Sequence, residues 1–134
     1  MMRAVLIGVL MGACVLMVSS CATVPQEPLM QGELRLLGMN FVEIGAIRQF
    51  VDHQVDIKFE ADGRPEVTRA CFYWSEDGPH CTTVKDVNYG SGIINVIVPA
   101  PLKGAYAFKA YIYYMREGKT LRSNAVETPV HISP

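Results

Sequence analysis

Charge is scarce in this sequence and favours neither sign. Only 19% of the 134 residues are charged, and twelve Lys and Arg against thirteen Asp and Glu leave a formal net charge of −1. A nucleic-acid-binding domain normally carries a basic surface, so the composition argues against a nucleic-acid partner. The length allows one ordinary domain and excludes a large multidomain enzyme.

Side chains that build metal and catalytic sites are also few. His53, His80 and His131 are the only histidines, and because their spacing matches no zinc motif we expect them at the surface. No serine has a Gly-x-Ser-x-Gly setting, and the paired carboxylates Glu76 and Asp77 lie in a predicted turn. We therefore expect a protein that is not an enzyme and that holds no metal or cofactor.

No apolar run reaches the roughly 20 residues that a membrane-spanning helix needs. The longest run covers residues 4–18, follows the positive Arg3, and ends at Ser19 and Ser20. A short positive start followed by an apolar run of this length is typical of a signal peptide.

The segment Val18-Ser19-Ser20-Cys21 resembles the lipobox of bacterial lipoproteins. The resemblance implies that the Cys21 thiol accepts a diacylglyceryl group, after which cleavage makes Cys21 the first residue. It further implies attachment to a membrane of the cell envelope. In a Gram-negative source this would be the periplasmic leaflet of the outer membrane, because Ala22 is not aspartate.

Three other interpretations of the leader stay open. Residues 11–14 also place small residues before a cysteine, secretory cleavage after Ala22 would release a soluble protein, and the apolar run could remain as an uncleaved anchor. The lipobox resemblance divides the chain into a signal peptide at 1–20, a flexible tether at 21–32, and a folded domain at 33–134.

The folded domain shows short alternating segments separated by Gly, Pro, Asn and Asp, which favour an antiparallel all-β fold. In residues 54–60, for example, Val55, Ile57 and Phe59 alternate with charged or polar residues. Further strands are predicted at 66–75, 81–84, 92–98, 105–115 and 121–132, in addition to 54–60.

Tyr106, entering the 105–115 strand after Leu102-Lys103-Gly104-Ala105, resembles the tyrosine corner of immunoglobulin-like and fibronectin type III-like sandwiches. Trp74 resembles their core tryptophan, and Ser123-Asn124 is similar to many fibronectin-like last strands. The resemblance covers about residues 54–132 and implies one antiparallel Ig-like β-sandwich of about seven strands.

Residues 33–53 give a weaker pattern. Residues 33–37 indicate a first strand, whereas 39–53 are compatible with a strand or with a helix capped at Asn40. Gly45 and the β-branched residues narrowly favour the strand.

Cys71 and Cys81 flank one predicted turn near Glu76, which places them opposite each other on adjacent strands. Both would point to the outer face of the sheet, away from Trp74. Since disulfides persist in exported domains, we predict a Cys71–Cys81 disulfide.

Three tyrosines also fall on the outward register, namely Tyr73, Tyr111 and Tyr113. If their strands pair, they form an exposed aromatic strip that is a candidate partner-binding site. The alternatives are ordinary cross-strand packing and coverage of the strip by residues 33–50. The sequence thus predicts an envelope lipoprotein with a non-catalytic Ig-like binding or scaffolding module, whose partner is an envelope protein or a cell-wall glycan. The alternatives are a carbohydrate- or peptidoglycan-binding module, or an accessory or assembly factor of an envelope or secretion complex.

Overall fold

The structure is a computed structural model that describes residues 27–43, 45–84 and 86–134. The predicted signal peptide and Cys21 lie outside the described residues. The described part contains ten strands: β1 Leu34–Phe41, β2 Ile47–Arg48, β3 Asp52–Ala61, β4 Val67–Trp74, β5 Asp77–Thr83, β6 Asp86–Asn88, β7 Ile93–Pro99, β8 Gly104–Arg116, β9 Lys119–Arg122 and β10 Val126–Ser133. It contains no helix that is long and apolar enough to cross a membrane.

The strands form two sheets. One has the order β1-β3-β7-β6, and the other has the order β2-β10-β8-β4-β5, with β9 pairing to β8. All pairings are antiparallel except the short parallel contact between β2 and β10. The all-β prediction is confirmed, although ten strands replace the seven that were expected.

Alternation along the two longest central strands builds the core. Val55, Ile57 and Phe59 of β3 are 0–5% exposed, and Phe108 and Ile112 of β8 are 0–1% exposed. The period-two pattern therefore identifies the inner face of each sheet correctly.

Phe108 is the centre of an aromatic cluster between the sheets. Its ring centroid lies 4.6 Å from Trp74, 5.7 Å from Phe72 and 5.3 Å from Phe41. Phe41 belongs to the other sheet, so this cluster joins the two layers, and each such ring pair contributes about 0.5–1.5 kcal/mol beyond area burial.

The described residues of 39–53 form no helix: strands occupy 39–41, 47–48 and 52–53, as was narrowly favoured, and a turn with Phe50 at a φ of 61° lies between β2 and β3. β1 continues through Phe41 with a register shift between Leu36 and Gly38, and a two-residue strand follows at Ile47–Arg48. A helix would have removed the backbone groups of β1 from their pairing with β3.

The prediction of one continuous strand at 121–132 is wrong, because residues 123–125 separate β9 from β10. The Asn124 side chain accepts from the Leu36 N–H at 2.8 Å and donates to the Leu36 carbonyl at 2.9 Å. These two bonds tie the β9–β10 connection to β1 across the layers.

Tyr106 makes the corner contact that the family resemblance implied. Its hydroxyl donates to the Leu102 carbonyl at 2.6 Å, and its ring lies 5.6 Å from the ring of Trp74. The connection between β7 and β8 is thereby fixed at the edge of the core.

Candidate functional site

The register of β4 against β8 brings the three predicted tyrosines together on the outer face of one sheet. Cys71 lies opposite Tyr111, and Arg69 lies opposite Tyr113. The ring of Tyr111 is 6.4 Å from that of Tyr73 and 5.7 Å from that of Tyr113. The predicted strip is therefore a continuous row of rings.

A cation lies over each ring of the row. The Arg69 guanidinium is 4.8 Å from the centroid of Tyr113, the Arg122 guanidinium is 5.0 Å from Tyr111, and the Lys109 ammonium is 5.1 Å from Tyr73. Each contact contributes about 0.5–1 kcal/mol at an exposed site. We call these six residues the tyrosine face: Arg69, Tyr73, Lys109, Tyr111, Tyr113 and Arg122.

The cations of the tyrosine face have no acidic partners in the described part of the chain. The ion pairs found there involve Arg35, His53 and His80. Glu127 is the register partner of Lys109 on β10 but forms no ion pair with it. The face is thus a positively charged area on a protein whose formal net charge is −1.

The exposure predicted for Tyr111 is wrong. Tyr111 is only 7% exposed, whereas Tyr73 and Tyr113 are partly exposed. Two neighbouring tyrosine rings and the Arg122 guanidinium cover it. Tyr111 therefore supports the face as a packed base, and its neighbours provide the contact surface.

A shallow depression of about 260 Å³ opens at one end of the tyrosine face. Its lining consists of Tyr73, Lys109, Tyr111, Arg122, Ser123, Asn124 and Ala125. Two of these residues are cationic and none is acidic. The Ser123 hydroxyl is already occupied, since it accepts from the Ile112 N–H and donates to the Asn124 carbonyl.

The predicted disulfide is confirmed, and it lies beside the tyrosine face. Cys71 and Cys81 are directly opposite in the β4–β5 register and are bonded to each other. Cys71 is fully buried and Cys81 is exposed. The bond fixes the edge strand β5 against β4, the strand that contributes Arg69 and Tyr73 to the tyrosine face.

The three cations of the tyrosine face were not among the site residues predicted from the sequence. Arg69 and Lys109 lie on the same outward register as Cys71 and Tyr111, so alternation could have found them. Arg122 reaches the face because β9 pairs back onto β8, opposite Tyr113.

His53 was predicted to lie at the surface, and this prediction is wrong. His53 is 5% exposed, its Nε2 lies 3.1 Å from the Arg48 backbone nitrogen, and its Nδ1 lies 3.2 Å from Glu43 Oε1. Burial raises the pKa of the Glu43 carboxyl, but hydrogen bonds from the Gln54 N–H and from His53 lower this pKa overall. His80 and His131 are exposed, as predicted.

Tyr89 is separate from the tyrosine face. Its ring lies 5.8 Å from Phe59, and its hydroxyl donates to the Pro65 carbonyl. Burial raises the pKa of this hydroxyl above its ordinary value. Within the described ranges, no group of three His, Cys, Asp or Glu side chains is arranged to hold a metal ion.

Comparison with known proteins gives no family assignment. No protein-family model matches the chain, and no curated protein matches it. One similar solved structure is described as a crystal structure of BslA, a bacterial hydrophobin, with 11% identity and a TM-score of 0.38. The likeness covers 81% of this chain and 99% of that one, and at this TM-score it carries no argument about fold or function.

Proposed function

We propose that the chain is a lipid-anchored protein of the cell envelope and that its folded domain is a non-catalytic binding module. The observation that carries the proposal is the tyrosine face, in which three contacting rings each have a cation over them. Tyrosine and arginine are the residue types enriched where partners bind most strongly. The face is the surface through which the domain contacts another envelope component.

The proposed anchor is a lipid on Cys21, supported by the lipobox resemblance of residues 18–21. The Cys71–Cys81 disulfide supports an exported location, because such bonds persist in oxidising compartments. In a Gram-negative source, the periplasmic leaflet of the outer membrane is the proposed address.

We propose an Ig-like sandwich as the fold. The sheet order β1-β3-β7-β6 corresponds to the A-B-E-D sheet of immunoglobulin domains, and β10-β8-β4 corresponds to G-F-C. The Tyr106–Leu102 corner and the buried Trp74 on β4 support the same assignment.

A protein partner is favoured over a neutral glycan. Sugar rings stack on open aromatic faces, but Tyr111 is nearly covered and cations occupy a face of Tyr73 and of Tyr113. A carbohydrate-binding module therefore has less support from this arrangement than a module that binds protein, whether as a scaffold or as an accessory factor.

Site-specific photocrosslinking in intact cells tests the proposal. A photoreactive residue at Thr83 lies beside Arg69 on the outer face, and one at Ile97, which is 54% exposed, lies on the outer face of the other sheet. We expect a discrete adduct from the Thr83 position and none from the Ile97 position. Equal yields from both positions, or no adduct from either, would contradict the proposal.

A further inference from the structure

We infer that the tyrosine face binds an extended, acidic segment of a partner protein, with Arg69, Lys109 and Arg122 pairing with its carboxylates. The inference rests on the proposed function, because it specifies the chemistry of the partner at that surface. Three observations support it: the charge of the face, the spacing of its rings and the size of the depression beside it.

Charge defines the kind of partner. The three cations pair with ring faces and with no carboxylate in the described residues, while the chain as a whole carries a net charge of −1. A cation that lies over a ring can still donate hydrogen bonds to a carboxylate of a partner protein. Opposite charges across an interface accelerate encounter and exclude partners of the wrong sign.

Spacing indicates an extended chain. Neighbouring ring centroids along the row are 5.7 and 6.4 Å apart. In an extended peptide, side chains on one side repeat about every 6.6–6.8 Å, which is twice the rise per residue. Carboxylates at every second residue of such a segment therefore repeat at close to the spacing of the Tyr113, Tyr111 and Tyr73 rings.

The depression can accommodate one side chain of that segment. Its volume is about 260 Å³, and its charged lining residues are Lys109 and Arg122. This volume lies at the lower end of the range usual for binding pockets and leaves room for a single glutamate or aspartate side chain beside the two cations.

A peptide-binding measurement on the full-length protein in detergent tests the inference. The probe is a synthetic peptide in which glutamate and threonine alternate, and the matched peptide has glutamine in place of glutamate. The face variant is Arg69→Gln/Lys109→Gln/Arg122→Gln. The control variant, Lys58→Gln/Lys103→Gln/Lys119→Gln, removes three exposed lysines outside the face and changes the net charge equally.

We expect the glutamate peptide to bind the wild type and the control with similar affinity. Binding to the face variant should be weaker by about tenfold, since three exposed ion pairs are lost, and the glutamine peptide should not bind. The charge-retaining variant Arg69→Lys/Lys109→Arg/Arg122→Lys should restore binding. This variant separates loss of charge from loss of folding.

Several results would overturn the inference. The face variant could bind the glutamate peptide as tightly as the wild type does. The protein could bind polygalacturonate but not the peptide. It could also self-associate through the face, so that the face variant no longer associates. If the peptide fails while the Thr83 crosslink persists in cells, only the acidic-segment inference is wrong. If the Thr83 crosslink is also absent, the proposed function fails.

Discussion

At the scale of single residues, the Asn124 amide links the β9–β10 connection to β1 of the other sheet. It satisfies both the N–H and the carbonyl of Leu36, which is 3% exposed, at the register shift in β1. A buried backbone group that loses its partner costs about 1–3 kcal/mol. The amide thus stabilises an irregular part of β1.

We expect Asn124→Ala to lower the free energy of unfolding by about 2 kcal/mol, because both Leu36 groups lose their partner. Asn40→Ala is the control, since the Asn40 side chain is exposed and its hydrogen bond is to the neighbouring Phe41 carbonyl. Denaturant titration of both variants measures the difference. Equal losses would show that the Asn124 bonds do not stabilise the fold.

The lowered pKa of Glu43 predicts a pH dependence of stability. The pKa of Glu43 in the folded protein is lowered from 4.5, so its ionised form is favoured by folding. Its contribution is present above the unfolded-state pKa and is lost as the pH falls through the lowered folded pKa. We expect the wild type to exceed Glu43→Gln in unfolding free energy near neutral pH and to lose that advantage in acid.

The measurement is a set of denaturant titrations of the wild type and Glu43→Gln across the acidic range. Glu117→Gln, which removes a carboxyl from the exposed β8–β9 turn, accounts for the general effect of losing one charge. If the difference in unfolding free energy between the wild type and Glu43→Gln grows as the pH falls, the predicted pH dependence is contradicted.

At the scale of elements, the disulfide joins the edge strand β5 to β4. The bond closes a loop with a sequence separation of 10 residues. In the chain-entropy model a loop of this length stabilises the fold by about 2–3 kcal/mol. The bond also holds β5 next to Arg69 and Tyr73 of the tyrosine face.

We therefore expect Cys71→Ala/Cys81→Ala to lose about 2–3 kcal/mol of unfolding free energy, as measured by denaturant titration. Treatment of the wild type with a reductant should give a loss of similar size. If the reduced wild type unfolds at the same denaturant concentration as the oxidised protein, the proposed stabilisation is contradicted.

Strand alternation explains which elements the sequence could predict. In-phase apolar residues located β3, β4 and β8, whereas β7 was predicted from its run of β-branched residues. β2 has only two residues and forms through its contact with β10, and β6 has only three residues, two of which are Asp and Asn, types that are uncommon in strands. No local pattern specifies either strand.

The same reasoning explains the errors at single positions. Alternation placed Tyr111 on the outer face but could not show that Arg122 covers it, because Arg122 arrives from β9. His53 is in phase with Val55 and Ile57, so extending the β3 pattern by two residues would have predicted its burial. The period of the sequence tells on which face of the sheet a side chain lies, whereas the exposed fraction of that side chain depends on neighbours from other strands.

At the scale of the whole molecule, the protein is proposed to combine a membrane anchor with a binding face. Removing the Cys21 thiol by Cys21→Ala should abolish incorporation of a labelled fatty acid and release the protein from membranes, because the lipobox at residues 18–21 then has no thiol to accept the lipid. Cys14→Ala is the matched control and should leave labelling unchanged. Labelling that persists in Cys21→Ala would show that the lipobox assignment is wrong.

The central claim is that the tyrosine face is where this protein meets its partner. Photocrosslinking from Thr83 in intact cells, compared between the face variant Arg69→Gln/Lys109→Gln/Arg122→Gln and the control Lys58→Gln/Lys103→Gln/Lys119→Gln, tests it most directly. We expect the adduct to be lost in the face variant and retained in the control. An adduct of equal yield in both variants would contradict the central claim.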